Sequence, residues 1–220
     1  SMLDDRLLCA ASLVRPGSRV ADIGTDHAYL PLYLVEQGLC PSAIASDVRP
    51  GPADSARRHV SEAGLSDRIA VRLGDGLVGI APDEVDDIVI AGMGGETIAA
   101  ILQAAPWVKS DRYRLVLQPM TRSEQLRRWL LTNGFTLLTE RVTRDGKHLY
   151  TVIAAAYTGA PPVTEEVAYY RGALTGEDGA AFLTKEIARL KKQQAGCRVS
   201  GNQSQADRLQ HLIEQLEGSL

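Results

Sequence analysis

Apolar and polar positions along this chain follow two periods that alternate in a regular order. Leu7, Leu8, Ala11 and Val14 fall on one side of a helix over Leu3–Val14, which Pro16-Gly17 ends. Five short apolar runs come next, and four of them stop at an acidic or glycine-rich turn. Arg19–Ile23 leads to Gly24, Ala43–Ser46 to Asp47, Ile69–Leu73 to Gly74-Asp75-Gly76, and Asp87–Ala91 to Gly92-Met93-Gly94-Gly95. The fifth, Arg114–Leu117, ends at Gln118-Pro119-Met120. Between them lie segments of helical period over Tyr29–Gln37, Asp54–Ala63, Glu96–Ala104 and Ser123–Asn133. Such strand–helix alternation predicts an α/β domain paired in parallel through right-handed crossovers.

After Gly134 the rhythm changes. Phe135–Thr143 and Lys147–Tyr157 are two extended runs joined at Arg144-Asp145-Gly146, a hairpin signal with Asp-Gly in the turn. Five parallel units closed by an antiparallel hairpin resemble the Rossmann-like class I methyltransferase sheet of seven strands, order 3-2-1-4-5-7-6. Thr158–Pro162 reads as a linker. Beyond it, Gly179–Ala195 carries Leu183, Ile187 and Leu190, and Gln203–Glu217 carries Ala206, Leu209, Ile213 and Leu216. These heptad-like seams predict a coiled-coil hairpin turning within Gly196–Asn202. The expected division is residues 1–158 for a cofactor-binding domain and 159–220 for a helical extension.

The strand ends carry the candidate chemistry. In open α/β sheets ligands bind at the carboxyl edge, where strand 1 feeds a helix through a tight turn. Here that turn is Asp22-Ile-Gly-Thr-Asp-His-Ala-Tyr29. A dinucleotide fingerprint would place glycines near positions 26 and 29, where this chain has Asp26 and Tyr29. Asp26 would repel a pyrophosphate but tolerate a cation, which points to S-adenosylmethionine. Asp22 and Gly24 would face its amino-acid end. Asp47, at the end of strand 2, suits two ribose hydroxyls, and Asp75 with Gly76 suits the adenine. Gly92, Met93 and Gly94 stand where a methyl group would emerge and where a flat base could lie.

The exocyclic-amine methyltransferase loop, Asn/Asp-Pro-Pro-aromatic, is absent, which favours a ring nitrogen as acceptor. Methylating a ring nitrogen makes the base cationic, and Asp26 could stabilise that charge or later take a proton. His27 could orient Asp26, and Tyr29 could stack on a base. The plainer alternatives are Asp26 as an N-cap, Tyr29 as helix–sheet filler and Met93 as core. Gln118, beside Pro119, could read a base edge through its amide.

Composition adds three limits. With 220 residues and 45% hydrophobic content the chain can build a full core, and no apolar run approaches the roughly 18 residues of a membrane span. Ser1-Met2 reads as a cloning remnant, and no signal peptide is expected. Cys9, Cys40 and Cys197 lack metal-ligand spacing, so a reducing cytoplasm and no metal are expected. Net charge is −3, but it is unevenly spread. Residues 1–111 hold 9 Lys/Arg against 16 Asp/Glu, and residues 112–148 hold 8 against 3. Lys185–Arg198 adds five cations and one acid. An acidic cofactor half beside basic patches suits a cationic donor and a polyanionic substrate. Arg122, Arg127, Arg128, Arg144, Lys147, Lys185, Arg189 and Lys192 are the candidate phosphate contacts.

At these residues the chain resembles the bacterial tRNA methyltransferases that modify N1 of the adenine at position 22. The motifs are Arg6-Leu-Leu8, Ala21-Asp-Ile-Gly-Thr-Asp-His-Ala-Tyr-Leu-Pro31, Ser46-Asp-Val48 with Gly51-Pro52, Gly74-Asp-Gly-Leu77, Gly92-Met-Gly-Gly95 and Leu117-Gln-Pro119. Thr25 stands where many members have serine, which keeps the hydroxyl. The resemblance implies a Rossmann-like domain using S-adenosylmethionine and a helical hairpin that helps to grip tRNA. It assigns the loop aspartate to Asp26 and the cofactor acids to Asp47 and Asp75. A cytoplasmic monomer or weak homodimer is expected. The competing readings are a methyltransferase for a small molecule or protein, and a non-catalytic adaptor with a relic cofactor site.

Overall fold

In the computed structural model, which describes residues 3–220, the apolar runs form β1 (Val20–Ile23), β2 (Ala43–Asp47), β3 (Ile69–Leu73), β4 (Asp87–Met93), β5 (Arg114–Pro119), β6 (Phe135–Asp145) and β7 (His148–Tyr157). Ser1 and Met2 lie outside the described residues. The strands make one sheet in the expected order, β3-β2-β1-β4-β5-β7-β6. The first five pair in parallel, and β7 runs antiparallel to β5 and β6. The helices are α1 (Asp5–Leu13), α2 (Tyr29–Glu36), α3 (Pro50–Glu62), α4 (Gly95–Gln103), α5 (Ser123–Thr132), α6 (Glu166–Arg171), α7 (Gly176–Val199) and α8 (Gln203–Glu217).

Alternate strand residues feed opposite faces of the sheet. Val20, Ala45, Val89 and Val116 pack under α1, α2 and α3. Ile23, Ile88, Ile90 and Leu117 pack under α4 and α5. β1 and β2 are buried along their whole length, which is why their sequences are apolar on both faces until the acidic ends.

Several boundaries differ from expectation for local reasons. Helix α3 begins at Pro50 rather than Asp54, because proline is well placed in a first helical turn where no N–H bond is lost. β4 and β5 run past Ala91 and Leu117 to Met93 and Pro119, with a bulge between Ala91 and Met93. Gly92 supplies the bulge with φ +84°. In the β6–β7 hairpin, Asp145 pairs with His148, so the loop is Gly146-Lys147 rather than Asp-Gly. The short α6 has no apolar period long enough to announce it.

α7 continues through Gly196 to Val199, and the chain reverses at Ser200–Asn202. α8 then runs back along α7: Gln194 donates to the carbonyl of Ala206 at 3.4 Å, and Lys191 pairs with Glu217 at 3.3 Å. Leu183, Ile187 and Leu190 meet Leu209, Ile213 and Leu216, and the hairpin rests on Val142 of β6 and Leu149 of β7.

A buried ion pair joins this extension to the sheet domain. Arg127 of α5 and Glu140 of β6 meet fork to fork, at 2.9 Å and 3.0 Å. Arg127 is 1% exposed and Glu140 5%. Arg127 also donates to the Tyr169 carbonyl in α6, and Glu140 accepts the Ala173 N–H and the Thr151 hydroxyl. Arg127 is therefore a structural residue, and its expected phosphate contact is corrected. A guanidinium this deeply paired has no face left for RNA.

Candidate active site

The carboxyl ends of β1, β2, β3 and β4 open into one cleft of about 430 Å³. Gly24 opens the first loop with φ +74°, and a side chain there would overlap the Met93 Cε. Both the Gly24 and Thr25 N–H groups donate to the Ser46 carbonyl at 2.8 Å, which ties the β1 loop to β2.

Asp22 stands one step behind the wall that Ile23 and Gly24 form. It is 5% exposed and accepts a hydrogen bond from the Thr25 hydroxyl at 2.8 Å. Burial pushes its carboxyl up to about 6, against the opposing pull of Thr25 and Arg6, and Asp47 adds to the rise.

Asp47 lines the cleft at the end of β2. Its Oδ2 accepts the Asp26 N–H at 3.0 Å, and its Oδ1 accepts the Arg49 N–H at 3.0 Å. Asp75 stands exposed on the rim beside Gly76. Thr97 and Ile101, one turn apart on α4, complete that wall. They went unnoticed in the sequence, although their spacing after Gly92–Gly95 marks the helix face that looks toward the cleft.

Asp26 does not cap α2. The N-cap position is Ala28, which lacks a capping side chain. Asp26 and Ala28 both hold left-handed backbone, at φ +58° and +61°, in one short loop. For non-glycine residues this conformation is costly and persists where neighbours impose it. The result is a carboxylate projecting onto the cleft wall, with His27 Nε2 3.7 Å from its Oδ2. Tyr29 stacks against His27 and His59, with ring centres 5.1 Å and 5.3 Å apart. Its ring lines a separate groove with Leu3 and Tyr33 rather than the cleft.

Met93 packs against the core under α4 and also forms part of the cleft wall. Behind it, Gln118 is 0% exposed. Its Oε1 accepts the Gly92 N–H at 3.0 Å and the Arg6 Nη1 at 2.7 Å, and its Nε2 donates to the Pro119 carbonyl. Gln118 therefore braces the ends of β4 and β5, and its amide is fully engaged. Arg6 of α1 reaches the cleft through this contact. The sequence reading left Arg6 without a role, since nothing in α1's own pattern says where its side chain points.

Pro119 and Arg122 line a second cavity of about 300 Å³, together with Tyr150, Phe182 and Arg189. Gly94 and Gly95 form the α4 start, directly after Met93 of the cleft wall, and a Gly95 side chain would overlap the carbonyl of Arg122. Arg189 is held by Glu186 at 2.8 Å and by Glu124 at 3.9 Å. Arg128 lies over the Tyr169 ring at 5.8 Å, on a different groove. Lys185 donates to the Lys147 carbonyl, and Lys192 is exposed. The cationic residues thus form a discontinuous surface along α5, the β6–β7 turn and α7. Among the described residues no group of three or more His, Cys, Asp or Glu could hold a metal ion.

Residues 3–153 match the family described as Methyltransferase domain. The tRNA (adenine(22)-N(1))-methyltransferase of Bacillus subtilis strain 168 is 37% identical over 198 residues, 88% of this chain and 83% of that protein. The crystal structure of the B. subtilis M1A22 tRNA methyltransferase TrmK superposes with a TM-score of 0.88 at 30% identity, covering 98% of this chain and 97% of that one. Streptococcus pneumoniae Sp1610 in complex with S-adenosyl-L-methionine gives 0.82 at 32% identity, over 96% of this chain and 100% of that one.

Proposed function

The chain belongs to the methyltransferase-domain family and, within it, to the tRNA (adenine(22)-N(1))-methyltransferases; on that premise we propose that its cleft holds S-adenosylmethionine and serves methyl transfer to N1 of adenine 22 in tRNA. The chemistry of the cleft fits that donor. The wall is acidic, with Asp26, Asp47 and Asp75 on it and Asp22 behind it. That suits a ligand with a sulfonium and an ammonium and no phosphate. Each Asp47 oxygen accepts one backbone N–H and keeps a second lone pair for a ribose hydroxyl. Asp75 accepts from the adenine amino group beside Gly76 and Ile101. Gly24 faces the amino-acid end, and the buried Asp22 carboxylate behind it acts on the ligand through its charge. Among the described residues the cleft is lined by two cations, Arg6 and Arg49, and Arg6, beside Gly92, takes the α-carboxylate. When bound, S-adenosylmethionine supplies an electrophilic methyl on a positively charged sulfur.

The residues then have separate tasks. A ring nitrogen attacks with its own lone pair, so no base is needed at N1. The rate depends on alignment and on the positive charge that grows on the base. Asp26 accepts a hydrogen bond from the target's exocyclic amine, stabilises that charge and can receive the amine proton afterwards. His27 orients Asp26. Met93 and the glycines beside it present a flat surface to the base. The α7–α8 hairpin and the basic residues Arg122, Arg128, Lys185, Arg189 and Lys192 contact the tRNA backbone, with residues 1–158 as the catalytic part and 159–220 as the gripping part. On this reading the enzyme works in the cytoplasm as a monomer or weak homodimer. Among the described residues no helix is long and apolar enough to cross a membrane.

The observation that carries this reading is the Asp26 carboxylate, held on the cleft wall by a left-handed backbone and an Asp47 hydrogen bond. The test is to incubate the protein with labelled donor and unmodified tRNA and map the product. N1-methyladenosine at position 22 is expected. Label on another atom or position, or none, overturns it.

A further inference from the structure

Among the described residues helix α3 makes two side-chain hydrogen bonds to the Asp26 loop, and both are on His27. The ring Nδ1 of His59 lies 2.8 Å from the His27 carbonyl oxygen. A carbonyl only accepts, so His59 carries its proton on Nδ1 and donates it there. The Ser55 hydroxyl lies 2.8 Å from His27 Nδ1. Ser55 and His59 are four residues apart on α3, so they project from one face, one above the other. Both are half-buried, and the Tyr29 ring packs against the rings of His27 and His59. His27 is thereby fixed by its backbone through His59 and by its side chain through Ser55. It is flanked by Asp26 and Ala28, the two non-glycine residues of the loop that hold left-handed backbone.

Left-handed backbone at two non-glycine positions needs outside support. On the Asp26 side, Asp47 supplies it through the N–H. On the Ala28 side, the support comes from α3. We propose that Ser55 and His59 are positioning residues for methyl transfer, holding the His27 peptide so that the Asp26 carboxylate stays on the cleft wall. This rests on the reading of Asp26 given above. It also gives α3 a second task, because the helix starts at Pro50, directly after the Asp47–Arg49 turn that borders the ribose end of the cleft. One rigid helix thus sets the spacing between the donor acid and the loop that meets the base.

The test compares His59→Leu, His59→Asn, Ser55→Ala and Asp26→Ala on full-length chain with unmodified tRNA. Asparagine places an amide N–H near the position of Nδ1, and leucine does not. His59→Leu and Ser55→Ala are expected to lower kcat on the order of 10-fold or more, as a loop displaced by a fraction of an ångström would. Donor Kd by calorimetry and the thermal midpoint should stay near wild type, and His59→Asn should recover most of kcat. Full turnover in His59→Leu sinks the proposal while low turnover in Asp26→Ala preserves the reading beneath it. Parallel loss of kcat, donor affinity and thermal midpoint in His59→Leu, unrescued by asparagine, also sinks it, since that marks a purely structural role. Full turnover in Asp26→Ala removes the carboxylate from the reaction and the reason for holding its loop.

Discussion

The backbone N–H of Asp26 donates to Oδ2 of Asp47 at 3.0 Å, so the acid at the end of β2 and the loop after β1 share one hydrogen bond. The two functions proposed for them are therefore coupled. Asp47→Ala should weaken donor binding about 10-fold to 100-fold, the range for losing hydrogen bonds to a charged group. It should also lower kcat at saturating donor, because the loop loses a tether. Calorimetry and single-turnover kinetics separate the two effects. A kcat unchanged at saturation would show that the loop holds without Asp47.

Asp22 gives the cleft a pH dependence. Its carboxyl rises from the ordinary 3.8 to about 6 because burial disfavours the charge. A group raised in this way favours folding below 3.8, and that contribution is lost as pH climbs through about 6. The rise corresponds to about 3 kcal/mol, so Asp22→Asn should stabilise the donor-free protein by up to about that much at pH 8. Donor binding follows the opposite preference, since a cationic ligand needs the ionised form. Affinity should be flat above about pH 7 and fall below about pH 6, approaching tenfold per pH unit. Titration calorimetry from acid to neutral pH checks this, and a profile identical in Asp22→Asn would refute it.

Arg6 should discriminate among donor analogues. If its guanidinium takes the α-carboxylate, Arg6→Gln weakens S-adenosylhomocysteine about 10-fold or more, the scale of a charge-assisted pair. Methylthioadenosine, which lacks the amino-acid part, should bind both proteins alike. Equal losses for the two ligands would instead assign Arg6 to bracing Gln118 and the ends of β4 and β5.

The Arg127–Glu140 pair should behave as a stability element without a role in chemistry. Arg127→Met leaves the buried Glu140 carboxylate without its partner and should cost about 3–5 kcal/mol in denaturant unfolding. Glu140→Gln in the same background should recover part of that loss, because the uncompensated charge is gone. Per-molecule turnover of the folded fraction should stay near wild type. A stable Arg127→Met with weakened tRNA binding would restore the phosphate role.

The fold was readable because it follows from periodicity. Val89 between Ile88 and Ile90 needs apolar partners on both faces, and only a sheet covered on both sides provides them. The Gly-rich and acidic strand ends were readable because parallel order brings them to one edge. Arg6, Thr97 and Ile101 were harder, since each enters the cleft by tertiary placement that its own helix does not encode. Gln118 shows the converse limit. Its position at a strand end suggested an exposed amide, but Arg6 and the Gly92 N–H occupy its oxygen. Asp26 as a cap failed for a backbone reason, because the loop turns left-handed at Ala28 before α2 begins. Arg127 carried a charge that its neighbours in sequence made look exposed, and its partner Glu140 is a strand residue on the far side of a turn.

Because Glu140 of β6 accepts the N–H of Ala173, just after α6, the helical extension is fastened to the sheet rather than strung behind it. On the gripping role proposed for the extension, a transfer RNA would meet a preset gauge instead of a swinging clamp. The distance from cleft to hairpin is set at folding by this contact, and a chimera carrying the hairpin on another catalytic body would need the same buried acid to keep its measure.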